Sequence, residues 1–146
     1  MSSAEAFPSV PVTLKIESDH VYQGAGSDRQ LLETMGLLRE NGGVYMVGYT
    51  DDEGAPCLLE LSPDHMRYIR NAGREEESAL FFRQGEKASS FYSTPYGVVP
   101  VETEAMSYKM RKGISSVLMA RVRYRLYSEG TCFSEAKMTI NIHGKA

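Results

Sequence analysis

The segment Phe91–Thr103, FYSTPYGVVPVET, carries the side chains of this sequence that best suit contact with a small ligand. Tyr92, Thr94 and Tyr96 bear hydroxyl groups, and each tyrosine combines an apolar ring with a hydrogen-bonding tip. A proline and a glycine within the segment favour a chain reversal, because proline fixes φ and glycine accepts positive φ. The segment therefore predicts a corner between two strands whose hydroxyl groups line a ligand site.

A pair of carboxylates follows the corner. Glu102 and Glu104 are two residues apart, so both emerge from one face of a strand. That geometry suits general acid and base catalysis or a cation site. Apolar residues occupy the opposite phase, which favours a solvated strand face, and an isomerase or hydrolase using rim Tyr and Glu is the least supported hypothesis.

Metal and cofactor chemistry finds no motif in this sequence. His20, His65 and His143 are far apart, and none has a second ligand at metal spacing. Cys57 and Cys132 form no CxxC pair, which predicts two reduced thiols in a cytoplasmic protein. We expect no metal, no cofactor and no nucleophilic catalysis.

Three arginines alternate with apolar residues near the end of the chain. Arg121, Arg123 and Arg125 share one strand face, while Tyr124 lies on the other face, which is apolar throughout and so is predicted to be buried. The arginines then form an outward stripe, paired with glutamates or free to hold an acidic or RNA partner. A rival assignment turns Arg125 and Tyr127 inward to clamp a ligand carboxylate, as in small lipid-binding barrels, but it buries positive charge at high cost.

Composition indicates one globular domain. The chain has 146 residues, 42% of them hydrophobic, and a net charge of -3, which gives little support to nucleic-acid binding. No segment reads as a signal peptide or a membrane span. We predict a flexible tail over residues 1–9 and a single domain over residues 10–146.

Alternation of apolar and polar residues dominates the chain and recurs in short runs between turn residues. Asn41-Gly42-Gly43 between two apolar runs is a strong hairpin signal, which decides the ambiguous segment Leu31–Asn41 in favour of a strand. The pattern yields about ten strands, typical of a sandwich or a closed antiparallel barrel. The predicted inward side chains include Leu14, Ile16, Leu59, Leu61, Leu80, Phe82, Val99, Val101, Val122, Tyr124, Leu126, Met138, Ile140 and Ile142.

From about Glu33 to Ile142 the sequence resembles the YwiB-like family of bacterial proteins. The resemblance lies in Thr34-Met-Gly36, Phe82-Arg-Gln-Gly85, Tyr92-Ser-Thr-Pro-Tyr-Gly97 and Tyr124-Arg-Leu126, in that order. It implies an all-β fold, a closed antiparallel calycin- or lipocalin-like barrel of about 8–10 strands. Members of the family have no assigned function, so the resemblance implies no catalytic residue.

Three functions remain open after these observations, the third being the isomerase or hydrolase that uses rim Tyr and Glu residues. The first is a non-enzymatic barrel that binds a small, partly apolar molecule at its mouth, near Tyr92, Thr94, Tyr96 and Tyr124. The second is an interaction module that uses the arginine stripe. Formation of homo-oligomers is compatible with both of these functions. A lumen without a cavity of about 300 Å³, the lower size of ligand sites, would eliminate the first.

Overall fold

The structure, a computed structural model, describes residues 9–22, 24, 26–94, 96–113 and 117–144. The predicted tail, residues 1–9, lies outside these ranges except for its last residue. The described residues contain no helix, and so none with the length and apolar character that a membrane crossing requires. Their ten strands are β1 Val10–Tyr22, β2 Gly26–Asn41, β3 Val44–Thr50, β4 Pro56–Leu61, β5 His65–Arg70, β6 Ser78–Arg83, β7 Lys87–Thr94, β8 Gly97–Arg111, β9 Leu118–Ser128 and β10 Thr131–Gly144.

The strands close into one antiparallel barrel. Each strand pairs with the next along the chain, and β1 pairs with both β2 and β10. The register of the closing pair sets Leu14 opposite Ile142 and Ile16 opposite Ile140. The prediction of a closed antiparallel barrel is confirmed, at the upper end of the expected strand number.

Glycines shape the β2–β3 hairpin in two ways. Gly42 and Gly43 have φ of 61° and 88°, as a two-residue reversal with positive φ at both positions requires. Gly36 lies within β2, where an added Cβ would meet the carbonyl oxygen of Gly48 at 2.8 Å. The glycine that interrupts the apolar run is therefore needed for close approach of two strands.

Alternate side chains fill the lumen, as the sequence pattern predicts. Leu59, Leu61, Phe82, Val122 and Leu126 are fully buried, and the other predicted inward residues are buried with a single exception. That exception is a valine, residue 99, which is 39% exposed. It lies opposite residue 92 of β7, but the ladder between β8 and β9 begins only at residue 102, so one side of this valine has no neighbouring strand.

The wall is weakest between β6 and β7, where a single residue pair, Ala79 opposite Phe91, forms the ladder. Side-chain hydroxyls replace the missing backbone bonds. Thr103 donates to the carbonyl oxygen of Phe81, and the Phe81 N–H donates to Ser90 Oγ at 3.1 Å. Both hydroxyl residues are buried. These hydrogen bonds therefore stabilise the contact between β6 and β7 in the interior of the barrel.

The barrel has two distinct ends. The connections after β1, β3, β5, β7 and β9 lie at one end, which we call the mouth end, and the connections after β2, β4, β6 and β8 lie at the other, the closed end. The predicted corner between β7 and β8 lies at the mouth end. Its Gly97 has φ of 121°, as the chain reversal requires.

Candidate functional site

A cavity of about 450 Å³ opens at the mouth end of the lumen, above the lower size of typical ligand sites. We call it the mouth cavity, and its lining combines apolar, polar and charged groups. The apolar residues are Ile16, Leu31, Leu32, Leu80, Phe91 and Met138. The polar residues are Ser18, His20, Gln30, Tyr68, Ser78, Tyr92 and Tyr124, and the charged residues are Asp51, Asp52, Glu53 and Arg70.

The inward face changes from apolar to polar along individual strands. In β1, Val12, Leu14 and Ile16 are followed in the same phase by Ser18 and His20, and all five are buried. Strand period sets the direction of each side chain, while residue type sets its chemistry. The uncharged polar lining therefore comes from the strands, whereas Asp51, Asp52 and Glu53 come from the β3–β4 turn.

His20 is the most informative group in the cavity. The residue is 8% exposed, and its ring stacks on Tyr22 and meets Tyr124 edge-on, with centroid separations of 5.8 and 6.2 Å. Burial lowers the pKa of His20, while Asp28 and Asp19 oppose that shift. Nδ1 is buried and finds no hydrogen-bond partner among the described residues, so a neutral imidazole presents an unsatisfied polar atom.

The tyrosines of the cavity remain protonated at neutral pH. Burial, reinforced by the neighbouring Tyr22, raises the pKa of Tyr92 to about 12. Burial likewise raises the pKa of Tyr124 and of Tyr68. The hydroxyl groups of these tyrosines are close enough to influence one another electrostatically. Together they offer neutral donors and acceptors, with aromatic faces beside them.

Arg70 forms ion pairs with two carboxylates. Its Nε lies 2.8 Å from Asp51 Oδ2, and its Nη2 lies 3.5 Å from Glu53 Oε2. Asp51 also accepts the N–H groups of Glu53 and Ala55 at 3.0 and 2.9 Å. Burial would raise the pKa of Asp51, but the hydrogen bonds from Arg70 and the backbone hold it below its usual value. The pair fastens the β3–β4 turn to the end of β5.

The structure separates the four predicted ligand-binding residues. Tyr92 and Tyr124 line the mouth cavity. Tyr96 is fully exposed and is not among the cavity-lining residues. The side chain of Thr94 lies outside the described part of the structure. The corner therefore contributes to the cavity through β7 rather than through the tip of its turn.

Most polar and charged residues of the cavity escaped the sequence interpretation, among them His20, Tyr68 and Arg70. His20 was treated as an isolated histidine, although it continues the inward phase of Ile16. Tyr68 and Arg70 belong to a short strand whose pattern is irregular, because Ile69 is buried on the outward face. Extending the alternation of β1 past its last aliphatic residue would have identified the histidine.

The arginine stripe faces outward, as predicted. Arg121 and Arg123 are exposed, and Arg125 Nε lies 2.8 Å from Glu135 Oε1. Leu126, the residue after Arg125, is fully buried in the lumen. The rival assignment, in which Arg125 turns inward to clamp a carboxylate, is therefore wrong.

Two further cations extend the stripe into a basic patch. Lys109 lies opposite Arg121 across the β8–β9 ladder, and Lys137 lies opposite Arg123 across the β9–β10 ladder. Within the described ranges, no carboxylate lies within 4 Å of the charged atoms of these four residues. Like charges placed directly opposite one another destabilise a sheet.

Glu102 and Glu104 lie on the outer wall, away from the mouth cavity. Glu104 accepts a hydrogen bond of 2.7 Å from the Tyr127 hydroxyl and lies 3.9 Å from the Arg125 guanidinium. This carboxylate pair cannot act as acid and base inside the cavity. In the part of the chain that the structure describes, no group of three or more His, Cys, Asp or Glu residues has a metal-binding arrangement.

A serine–histidine cluster at the closed end forms a turn rather than a reaction centre. His65 Nδ1 lies 2.6 Å from Ser62 Oγ and 2.9 Å from Asp64 Oδ1, and Nε2 lies 3.1 Å from Glu60 Oε2. Ser62 is 3% exposed, so a substrate has no access to its hydroxyl. These bonds close the β4–β5 connection.

Comparison with known proteins supports the fold and leaves the function open. The model of a family described as "Domain of unknown function (DUF1934)" matches residues 9–140. The crystal structure of the ywiB protein from Bacillus subtilis is similar along the whole of both chains, with a TM-score of 0.80 and 15% sequence identity. A search of curated proteins finds no match. The resemblance to the YwiB-like family is thereby confirmed.

Proposed function

Since the chain belongs to the DUF1934 family, which has no assigned function, we propose a function from its geometry: it is a non-enzymatic protein that binds one small, partly apolar molecule in the mouth cavity. The observation that carries this proposal is the unsatisfied Nδ1 of His20 inside a cavity of about 450 Å³. Buried polar atoms are rarely left without a partner, and a ligand or an ordered water would supply one.

The lining supports a ligand with two kinds of surface. Ile16, Leu80 and Met138 provide an apolar side, while Tyr92 and Tyr124 provide hydroxyl groups. Sites for small molecules are mostly apolar, with a few polar groups that fix orientation. An amphipathic molecule would satisfy both surfaces.

The neutral fluorescent probe N-phenyl-1-naphthylamine tests this proposal directly. We expect saturable, one-to-one fluorescence enhancement with the wild-type protein. Leu32→Phe places a ring in the cavity and should weaken binding about tenfold, equivalent to about 1.4 kcal/mol. Leu37→Phe is the matched control, since the same change on the same strand falls on the exposed outer face.

Measurements on the wild-type protein and the two leucine variants can also contradict the proposal. Absence of saturable binding by the wild-type protein would contradict the proposal. Equal weakening by Leu32→Phe and Leu37→Phe would show that the probe binds outside the cavity. Circular dichroism of both variants establishes that each keeps its strand content.

The basic patch supports a second candidate function, binding of an anionic partner. The Lys109–Arg121 and Arg123–Lys137 oppositions cost stability, and a partner's negative charges would offset that cost. Fluorescence anisotropy with a short single-stranded RNA and with an acidic peptide measures this at low salt. Charge reversal of Arg121, Arg123 and Arg125 to glutamate should abolish binding, whereas Arg39→Glu with Arg74→Glu should preserve it. Unchanged binding by the triple variant would eliminate this function.

Location and assembly complete the proposal. We propose a cytoplasmic protein, because Cys57 and Cys132 are both free and cytosolic thiols remain reduced. Native mass spectrometry of protein purified from its own host would measure both a retained ligand and the mass of any homo-oligomer. A mass equal to that of the bare chain, after gentle purification, would speak against a tightly held ligand.

A further inference from the structure

The charged groups of the mouth cavity are strongly unbalanced. Asp51, Asp52 and Glu53 bring three carboxylates to the lining, and Arg70 brings one guanidinium. The excess is two negative charges. Since burial disfavours the charged form of His20, the imidazole does not restore the balance at neutral pH.

Among the described lining residues, the cation is Arg70, and it is already engaged. Arg70 contacts Asp51 at 2.8 Å and Glu53 at 3.5 Å, so an incoming anion would have to displace a carboxylate from it. Asp52 is exposed, and Glu53 has 78% of its side chain exposed. Their charges project into the entrance, where they repel anions and attract cations.

The interior groups suit a cation that can donate hydrogen bonds. The buried Nδ1 of His20 lacks a partner, and a neutral imidazole has one nitrogen that accepts. The rings of Tyr68, Tyr92 and Tyr124 add π faces, which attract ammonium groups. Ile16, Leu80 and Met138 would receive an apolar body.

On the basis of the proposed function, we infer that the ligand of the mouth cavity is an amphipathic cation, an organic ammonium joined to a short apolar chain. Its headgroup lies between Asp52 and Glu53 at the entrance and the Nδ1 of His20, to which it donates a hydrogen bond. Its apolar chain extends between Ile16, Leu80 and Met138. An apolar carboxylate of the same length binds more weakly, because the negative charges of the entrance repel it.

Three eight-carbon probes separate charge from shape: octylammonium, octanoate and octan-1-ol, each competing with N-phenyl-1-naphthylamine at low ionic strength. We expect octylammonium to displace the probe at a concentration about tenfold lower than octanoate, with octanol between them. Added salt should reduce the preference, because exposed charges are screened.

Two double variants, each lacking two carboxylates, test which charges cause the preference for octylammonium. Asp52→Asn with Glu53→Gln should reduce the preference for octylammonium to about twofold while leaving octanol displacement unchanged. Glu75→Gln with Glu76→Gln removes the same charge from the β5–β6 loop at the same end, outside the cavity lining. That control should keep the preference.

The outcomes distinguish the two levels of the proposal. Equal or stronger displacement by octanoate, or the strongest displacement by octanol, would overturn the cationic ligand while the binding function stands. Loss of the preference in the Glu75 and Glu76 control would also overturn it, because the effect would then reflect overall charge. Failure of all three probes, together with failure of N-phenyl-1-naphthylamine itself, would overturn the binding function.

Discussion

At both ends of the lumen, alternate residues of each strand point inward, but the inward side chains differ between the two ends. At the closed end, Leu61, Met66, Leu118 and Ile142 are fully buried and fill the space between the strands. At the mouth end, inward positions carry serine, histidine and tyrosine, and a cavity of about 450 Å³ remains. The difference shows that the interior of one barrel can be divided into a packed core and a cavity.

The hydrogen bonding of buried polar groups also differs between the two ends. The Tyr108 hydroxyl at the closed end donates to the carbonyl oxygen of Ser62 at 2.6 Å. The imidazole of His20 at the mouth end leaves Nδ1 without a partner in the described residues. Among the described residues, the Tyr108 hydroxyl at the closed end therefore has its partner, whereas Nδ1 of His20 at the mouth end lacks one.

Truncating an inward leucine at each end should give the largest difference. Leu61→Ala leaves a void in a closely packed core and should lower the free energy of unfolding by about 2–5 kcal/mol. Leu32→Ala at the half-buried cavity wall should cost less than about half of that, because the space there is already open. Urea denaturation of both variants measures the two losses, and equal losses would contradict the division of the lumen.

Removing one tyrosine hydroxyl from each end tests hydrogen bonding at constant ring packing. Tyr108→Phe leaves the buried Ser62 carbonyl without its donor and should cost about 1–3 kcal/mol. Tyr92→Phe at the cavity wall should cost about 0.5 kcal/mol or less, because this side chain is only partly buried and a partly exposed hydroxyl loses less when its hydrogen bond is removed. Thermal unfolding followed by circular dichroism measures both. A greater loss from Tyr92→Phe would show that the mouth tyrosines support the fold rather than a ligand.

Much of the closed half could be predicted from the sequence, because its strands alternate aliphatic and polar residues without interruption. β1 begins with Val12, Leu14 and Ile16 in one phase, and the strand was predicted from them. The paired positive φ values of Gly42 and Gly43 were likewise predictable, since Asn-Gly-Gly has few other uses between apolar runs. Barrel closure could not be derived in this way, because the pairing of β1 with β10 joins segments far apart in the chain.

The mouth half was harder to predict for a physical reason. A buried Ser18 or His20 has the residue type of a surface position, so apolar alternation ends before the strand does. Arg70 was invisible as a cavity residue, because the Asp51 that compensates its charge lies on a different turn and is paired with it only in the fold. Polar residue types at buried positions break the local rule that identifies the core, so the sequence predicts Tyr92 and Tyr124 at the cavity but misses His20.

The smallest expected effect concerns pH and again separates the ends. Burial holds the pKa of His20 below its ordinary value of 6.5, against the opposing charges of Asp28 and Asp19. As pH falls through about 6.5, the unfolded chain binds a proton at this histidine before the folded chain does, so stability is lost on acidification and retained above that pH. His20→Gln should flatten the slope of unfolding free energy between pH 7 and 5.5, by no more than about 1.4 kcal/mol per pH unit.

The exposed His143, at the closed end of β10, provides the control for that measurement. His143→Gln should leave the slope unchanged, because this exposed side chain lies outside the mouth cavity. Octylammonium should keep or steepen the acid sensitivity of the wild-type protein, since a bound donor at Nδ1 favours the neutral imidazole and lowers the pKa of His20 in the folded state further. A slope that persists in His20→Gln would place the titrating group elsewhere and remove the unsatisfied histidine from the description of the mouth cavity.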